Sequence, residues 1–328
     1  MTPRENFIHF FKNEPYEWTP TSLDYKMFRP TMIPDHIARA MVCEQTPYTG
    51  EFGGKDIFGI NWVYVPSVGG SMEDPDEPHT FEDIEDWEAT VKFPDIDAWD
   101  WEGCAKANEE YLKTDKIIHS TIYTGFFERL ISFTGFENAA MDLIDDDCQP
   151  YVHALFSKLA DLYIEIIHRL HKYFNVEIVE VHDDWGNQRS LMFSVETHRE
   201  MLMPYMQRIA DAAHAEGVFI EQHSCGKIED LVPNIIESRV DTWRGQSSAI
   251  DKKWCVDHYG DQFHFSAEIR PDETVPLEEY MSYAKSVIDT YHGREVWLWI
   301  VPNRSLRPEL TDSVCEDIAK YVRSIGHI

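Results

Sequence analysis

The hydrophobic and polar positions follow a regular rhythm from Lys116 onward. Short apolar runs alternate with segments of helical periodicity, and these runs predict strands at 117–123, 176–182, 218–225, 263–268 and 296–301. The longest helical pattern covers 149–173, where apolar residues form a single stripe. Strands that alternate with helices indicate a parallel sheet. Because no glycine-rich nucleotide fingerprint follows any strand, the 328 residues favour a closed eight-unit α/β barrel of the TIM type over an open doubly wound sheet.

A second helical pattern covers 194–216 and has clear boundary signals. Ser194 is a natural N-cap and Gly217 a natural stop. Pro204 inside the pattern predicts a kink or a break.

The N-terminal third lacks this rhythm. A short helix is expected at 1–12, and alternation with glycine breaks at 51–70 predicts a small antiparallel hairpin. The acidic, proline-rich stretch 72–100 is interpreted as a solvated surface segment. We therefore expect a single domain over 1–328, with an irregular part at 1–110 and regular β/α units at 111–328.

Charge and cysteine usage limit the functional classes. The chain has 29 basic and 59 acidic residues, a formal charge of −30 that disfavours nucleic acid and anionic membranes as partners. No apolar run suits a membrane span or a signal segment. The six cysteines are scattered without a Cys-x-x-Cys pair, which is typical of reduced thiols. A soluble cytoplasmic protein with a small-molecule substrate is expected.

The segment 218–226 combines a strand with metal-ligand chemistry. His223 and Cys225 would lie on one face of the strand, with Cα atoms about 7 Å apart, which is within reach of one metal ion. A lone buried His or Cys is more often a core residue than a ligand, so the pair alone is a weak signal. The step from strand to helix through Gly226 strengthens it.

Other strand ends also carry polar and aromatic side chains, as expected where a barrel concentrates its chemistry. The strand at 176–182 ends with His182, Asp183, Asp184 and Trp185, and the strand at 263–268 ends with Glu268. The two aspartates are also compatible with capping the following turn. Several polar strand ends in one chain exceed what solvent-facing loops need, so these positions are candidate functional residues beside the pair His223 and Cys225.

Four segments together resemble the uroporphyrinogen decarboxylase superfamily, and the resemblance extends from about Arg4 to Ile325. They are Asp56-Ile57-Phe58-Gly59-Ile60-Asn61-Trp62, Tyr123-Thr124-Gly125-Phe126-Phe127-Glu128-Arg129-Leu130, Asp183-Asp184-Trp185-Gly186 and His223-Ser224-Cys225-Gly226. The resemblance implies one distorted eight-stranded barrel. It also implies one of two activities, metal-free decarboxylation of uroporphyrinogen or zinc-dependent methyl transfer with cobalamin.

The methyltransferase branch is the better match, specifically the branch resembling O-demethylating methyltransferases. The arginine-bearing N-terminal signature of the decarboxylases has no counterpart in residues 1–50, and the chain is strongly acidic. The resemblance then implies a zinc held through His223 and Cys225 and a methyl group passed to the cobalt(I) corrinoid of a partner protein. The decarboxylase and a non-catalytic barrel that binds a corrinoid protein are the alternatives.

The chain also departs from the methyltransferase pattern. Thiol-methylating members supply a further Cys from the last strand region, where this chain has Ile300-Val301-Pro302-Asn303. The missing ligand is therefore expected from another strand end, with His182, Asp184 or Glu268 as candidates. In methyl transfer, zinc or a proton from Asp183 or Asp184 would stabilise the departing oxyanion. A zinc with one thiolate is a stronger Lewis acid than one with two, which favours a methoxylated substrate over a thiol. Candidate cavity walls are Tyr123, Phe126, Trp185 and Trp243. Because no cobalt-binding Asp-x-His-x-x-Gly motif occurs, the corrinoid is expected on the partner protein. The sequence leaves the oligomeric state open, with a homodimer as one option.

Overall fold

A parallel sheet forms the centre of the fold. The computed structural model describes residues 1–66, 70–270, 275–276, 279–300 and 312–326. The strands, in chain order, are β1 (Tyr25–Met27), β2 (Gly53–Lys55), β3 (Asn61–Val65), β4 (Gly70–Glu73), β5 (Ile117–Ile122), β6 (Ile178–His182), β7 (Phe219–Ser224), β8 (Thr242–Gly245), β9 (His264–Ile269) and β10 (Val296–Ile300). Seven of these form one parallel sheet in the order β1-β5-β6-β7-β8-β9-β10.

Helices flank this sheet. They are α1 (Pro3–Phe11), α2 (Pro34–Ala38), α3 (Trp87–Thr90), α4 (Trp101–Ala107), α5 (Glu109–Leu112), α6 (Phe126–Thr134), α7 (Phe136–Asp142), α8 (Gln149–Phe174), α9 (Val195–Met201), α10 (Met203–Ala215), α11 (Val232–Glu237), α12 (Lys252–Tyr259), α13 (Tyr280–Tyr291) and α14 (Asp312–Ile325). Within the described part of the chain, no helix combines the length and apolar character that a bilayer crossing requires.

The two edges of the curved sheet meet. Thr21, just before β1, forms a parallel bridge with Leu298 of β10. The Leu298 N–H donates to Pro20 O at 2.8 Å, and the Ser22 N–H donates to Leu298 O at 2.8 Å. Since this bridge joins the first strand to the last one described, the predicted TIM-type α/β architecture is confirmed.

The predicted strands and long helices are found close to their expected bounds. The five predicted strands correspond to β5, β6, β7, β9 and β10, and the long helical pattern corresponds to α8. The segment predicted to kink at Pro204 is divided into α9 and α10, and Ser194 Oγ accepts the Thr197 N–H at the start of α9. The short strands β1 and β8 had no alternating pattern long enough to predict them.

The N-terminal third is more closely integrated than its composition indicates. The predicted hairpin is present as β2 and β3, and β4 adds a third antiparallel strand. The acidic segment 72–100 has mostly exposed carboxylates but buries apolar side chains in the main core, namely Phe81, Ile84, Trp87, Val91 and Ile96. It is therefore only partly the solvated segment that the sequence predicts.

A buried ion cluster ties this region to the barrel. Arg129 of α6 is fully buried and contacts Asp35 at 3.1 Å and Asp56 at a shorter distance. Asp56 also accepts the Trp62 indole N–H at 3.0 Å. One arginine therefore holds α2 and the hairpin against the helix that follows β5.

We expect Arg129→Met to destabilise the protein strongly, because two buried carboxylates would lose their cation. Breaking a buried ion pair from one side costs about 3–5 kcal/mol in free energy of unfolding. Urea unfolding monitored by circular dichroism measures the change. Arg189→Met is the matched control because Arg189 is exposed; equal stability of the two variants would contradict the role of Arg129.

Candidate metal centre

The pairing of β6 with β7 creates the site. These neighbouring parallel strands are in register so that His182 lies opposite His223 at their carboxyl ends. Asp184 and Cys225 each follow two residues later, beyond the last strand pairing. Two short polar stretches therefore meet at the mouth of the barrel.

Asp184, His223 and Cys225 converge on one point. The His223 Nε2 and Cys225 Sγ atoms are 3.3 Å apart, and Asp184 Oδ1 is 3.8 Å from His223 Nε2. The Cys225 N–H donates to Asp184 Oδ1 at 2.6 Å. One ligand atom from each residue lies within 4.8 Å of the others, the arrangement expected of a preformed metal site.

Glycines allow the two loops to approach this closely. Gly226 follows Cys225 with φ of 86°, in the region that favours glycine. A Cβ at Gly226 would lie 2.1 Å from the backbone carbon of Gly186. The Gly226 signal in the sequence is therefore explained by contact between the β6 and β7 loops.

A second group of ligand atoms, from Glu128, His182 and Asp184, shares Asp184 with the first. The His182 Nε2 atom is 3.7 Å from Asp184 Oδ1 and 3.8 Å from Glu128 Oε2. The imidazole rings of His182 and His223 stack with centroids 4.3 Å apart. The sequence identifies Glu128 only as part of a segment that carries the family resemblance. Its position in the first turn of the helix after β5 is the signal that could have marked it as a site residue.

Burial and neighbouring charges set the protonation of these side chains. Burial, reinforced by the positive charge of nearby His182, lowers the pKa of His223 to about 3, so its imidazole is neutral and able to bind a metal. Burial and the carboxylate of Asp184 raise the pKa of the Cys225 thiol. Burial raises the pKa of Glu128 to about 7, while Arg39 opposes this.

Two opposing effects act on His182 and Asp184. Burial acts to lower the pKa of His182, but the Glu128 carboxylate and the hydrogen bond with Glu180 outweigh it and raise that pKa. Burial acts to raise the pKa of Asp184, but the positive charge of His182 and the hydrogen bond from the Cys225 N–H outweigh it and lower that pKa. The site therefore favours an ionised Asp184.

Ion pairs in the barrel interior support the site from below. Glu180 and Glu221 occupy the row beneath the two histidines. Arg244 contacts Glu180 closely and donates from Nε to Glu221 Oε1 at 2.8 Å. The Glu180 Oε1 atom lies 3.5 Å from His182 Nδ1, so this carboxylate orients the ring above it.

Asp183 has a different environment from its neighbour. It is fully buried, and its two oxygens accept the backbone N–H groups of Phe126, Phe127 and Glu128 at 3.0, 3.1 and 2.8 Å. Burial raises the pKa of Asp183 to about 6, and these hydrogen bonds oppose the shift. The structure places this predicted proton donor at the N-terminus of α6, so Asp183 caps a helix distant in sequence and not the turn that follows it.

Only one of the four predicted cavity aromatics adjoins the ligand atoms. The Tyr123 ring centroid is 5.9 Å from that of His182. Phe126 packs on Phe156 and Tyr205, whereas Trp185 packs on His198 with ring centroids 4.4 Å apart. Phe126, Trp185 and Trp243 are buried in the hydrophobic core, so the structure does not bring them to the metal ligands.

Glu268 lies in a separate cavity of about 690 Å³ with Lys252 and Ser286 among its lining residues. No group of candidate metal ligands among the described residues includes Glu268. Residues 301–303, the region where the family resemblance leads one to expect a further Cys in thiol-methylating members, lie outside the described residues. Cys315 is buried in α14, within the main core.

The donor set suits zinc. One imidazole, one thiol and one carboxylate are all common zinc ligands, and three protein ligands leave a position for water or substrate. His223 is held neutral, as metal binding requires. The fold and the donor set together define an α/β barrel with a candidate metal centre at the carboxyl ends of its strands.

Comparisons with known proteins agree with this class. Neither the family models nor the curated protein sequences give a match. Among solved structures, a methyltransferase from Methanosarcina mazei superposes with a TM-score of 0.67 at 12% identity, covering 98% of this chain and 99% of that one. At this identity the likeness shows a shared fold over nearly the whole chain.

Weaker structural matches cover less of the chain. A family 2 AP endonuclease from Brucella melitensis has a TM-score of 0.37 over 62% of this chain. D-psicose 3-epimerase from Clostridium cellulolyticum H10 has the same TM-score over 68%. These values are too low to add to the argument.

We expect Asp183→Asn to lower stability without removing the metal ligands. The amide would direct a donor at backbone N–H groups, and a buried group left unsatisfied costs about 1–3 kcal/mol in free energy of unfolding. Thermal and urea unfolding measure the loss, and Asp211→Asn, at an exposed surface ion pair, is the control. Unchanged stability of Asp183→Asn would contradict the capping role.

Proposed function

We propose that this protein is a zinc-dependent methyltransferase that moves a methyl group from a small methoxylated substrate to the cobalt(I) corrinoid of a partner protein. The observation that carries the proposal is the convergence of Asp184, His223 and Cys225 at the mouth of a barrel. The same overall fold occurs in a protein named as a methyltransferase.

Each ligand residue has a defined task in this proposal. His223 contributes a neutral imidazole, Cys225 a thiolate once its proton is displaced, and Asp184 an ionised carboxylate. Zinc held there supplies a Lewis acid for the ether oxygen of the substrate. The single thiolate supports an oxygen-bound substrate over a thiol, since fewer thiolates leave more positive charge on the metal.

The proposed site has an aromatic wall and a side that is open at the mouth of the barrel. Tyr123 provides an aromatic wall beside His182, and the Arg29 guanidinium lies 5.0 Å from the Tyr123 ring centroid. Asp184 retains 27% side-chain exposure, so the cluster is reachable from the mouth. A corrinoid presented by a partner would approach this face, where the loops after β6 and β7 meet.

The arginines near the site support methyl transfer over decarboxylation of a polycarboxylate. Arg244 is paired with Glu180 and Glu221, and Arg39 lies 3.5 Å from Glu128. Arg29 lies 3.8 Å from Glu180. Because internal carboxylates already neutralise these cations, they are poorly placed to hold the carboxylates of a tetrapyrrole.

The test combines zinc analysis with a methyl-transfer screen using reduced free cobalamin and methoxylated compounds. We expect the purified protein to contain zinc and to methylate cobalamin. Cys225→Ser and His223→Ala should each lose one equivalent of zinc. They should also lower the transfer rate by at least about 100-fold, because even changes to groups around metal ligands cost about 10–100-fold.

Cys148→Ser is the matched control, since Cys148 lies outside the four candidate ligand groups of the described residues. A zinc-free protein that converts uroporphyrinogen would overturn the proposal in favour of the decarboxylase. A protein that binds a corrinoid protein but demethylates no donor in the screen would instead be a non-catalytic binder.

A further inference from the structure

We propose that Glu128, His182 and Asp184 bind a second divalent cation beside the proposed zinc position. Their ligand atoms lie within 4.8 Å of one another, as do those of Asp184, His223 and Cys225. The inference rests on the proposed function through Asp184, which belongs to both groups: its Oδ1 lies 3.7 Å from His182 Nε2 and 3.8 Å from His223 Nε2, so one carboxylate would serve both cations.

Two segments far apart in sequence supply the second group. Glu128 comes from α6, whereas His182 and Asp184 lie two residues apart at the carboxyl end of β6. The His182 Nε2 atom lies 3.8 Å from Glu128 Oε2 and 3.7 Å from Asp184 Oδ1. Three ligand atoms this close to one another offer a cation three donors without rearrangement of the backbone.

The orientation of His182 supports a metal-binding role. Its Nδ1 faces Glu180 Oε1 at 3.5 Å, and its ring stacks on His223. Metal-binding histidines commonly use one nitrogen for a carboxylate and the other for the metal. Arg244 holds Glu180 in an ion pair inside the barrel. Glu180 in turn holds the Nδ1 side of His182, which fixes the direction of His182 Nε2.

Glu128 has an oxygen that needs a partner. Its Oε1 faces Arg39 at 3.5 Å, whereas its Oε2 is buried and has no hydrogen-bond partner among the described residues. Arg39 is held on the Oε1 side, because it also donates to Thr124 Oγ1 at 3.2 Å and stacks 4.4 Å from the Trp62 ring centroid. A buried carboxylate oxygen without a partner is costly, and a cation at this position would satisfy it.

The two groups differ in chemistry. Cys225 gives the first group a soft thiolate, which favours zinc. Two carboxylates and an imidazole make the second group harder, so it accepts zinc or Mn²⁺. Glu128 and Cys225 do not occur in one ligand group within the described residues, whereas His182 and His223 share a further group with Glu180, so the two proposed positions are adjacent.

The experiment counts zinc bound by metal-stripped protein after equilibrium dialysis against zinc. We expect two equivalents in the unchanged protein, one in Glu128→Gln and one in Cys225→Ser. Glu137→Gln, at an exposed position on α7, should keep two equivalents. In a second measurement, electron paramagnetic resonance should show that Cys225→Ser binds one Mn²⁺ and that the double variant with Glu128→Gln binds none.

The outcomes separate the two proposals. One equivalent in the unchanged protein, kept in Glu128→Gln and lost in Cys225→Ser, would overturn the second cation and leave the zinc site intact. No zinc in any of these proteins would overturn both. Circular dichroism checks folding, and if Glu128→Gln fails to fold, His182→Gln tests the same position; retention of two equivalents in that variant would also overturn the inference.

Discussion

The in-register pairing of β6 with β7 is the constraint on which the site depends. It places His182 beside His223 and, two residues further along each chain segment, Asp184 beside Cys225. A slip of one residue would turn one histidine of the pair towards the helices, because side chains alternate along a strand. The contact between Gly186 and Gly226 beyond the strands is compatible with this register and leaves little room for another.

Residues inside the barrel, at the start of α6 and in the N-terminal region also hold the site in place. Arg244 fixes Glu180, which orients His182, while Asp183 anchors the start of α6 and thereby positions Glu128. The N-terminal region joins the same network through Arg39, which reaches Glu128 across the mouth. Ligand residues and supporting residues thus come from parts of the chain far apart in sequence.

The barrel was largely predictable because its strands are apolar runs between helices with clear stripes. Helix α8 and the break between α9 and α10 followed from periodicity, Ser194 and Pro204, all of which act locally. Strands β1 and β8 were missed because each is three or four residues long and is defined by its neighbours. The burial of Phe81 and Trp87 under an acidic segment was also decided by tertiary packing.

The candidate ligands were predictable only in part. His223 and Cys225 are two residues apart, so their proximity is a local property of the backbone. Glu128 is brought to the site by the capping of α6, and Glu268 is directed to another cavity, which no spacing along the chain reveals. Asp183 and Asp184 are adjacent in sequence, yet alternation directs one to a helix N-terminus and the other to the mouth.

The parallel bridge between Thr21 and Leu298, where the two edges of the sheet meet, has a consequence for biosynthesis. Ser22 and Ile300, which form hydrogen bonds with each other beside that bridge, are 278 positions apart. The outer edge of the first strand therefore emerges from the ribosome long before the strand that covers it. Such distant pairing slows folding and leaves a strand edge open to wrong partners in the meantime. Completion of the ring must come late, after the central strands have already associated.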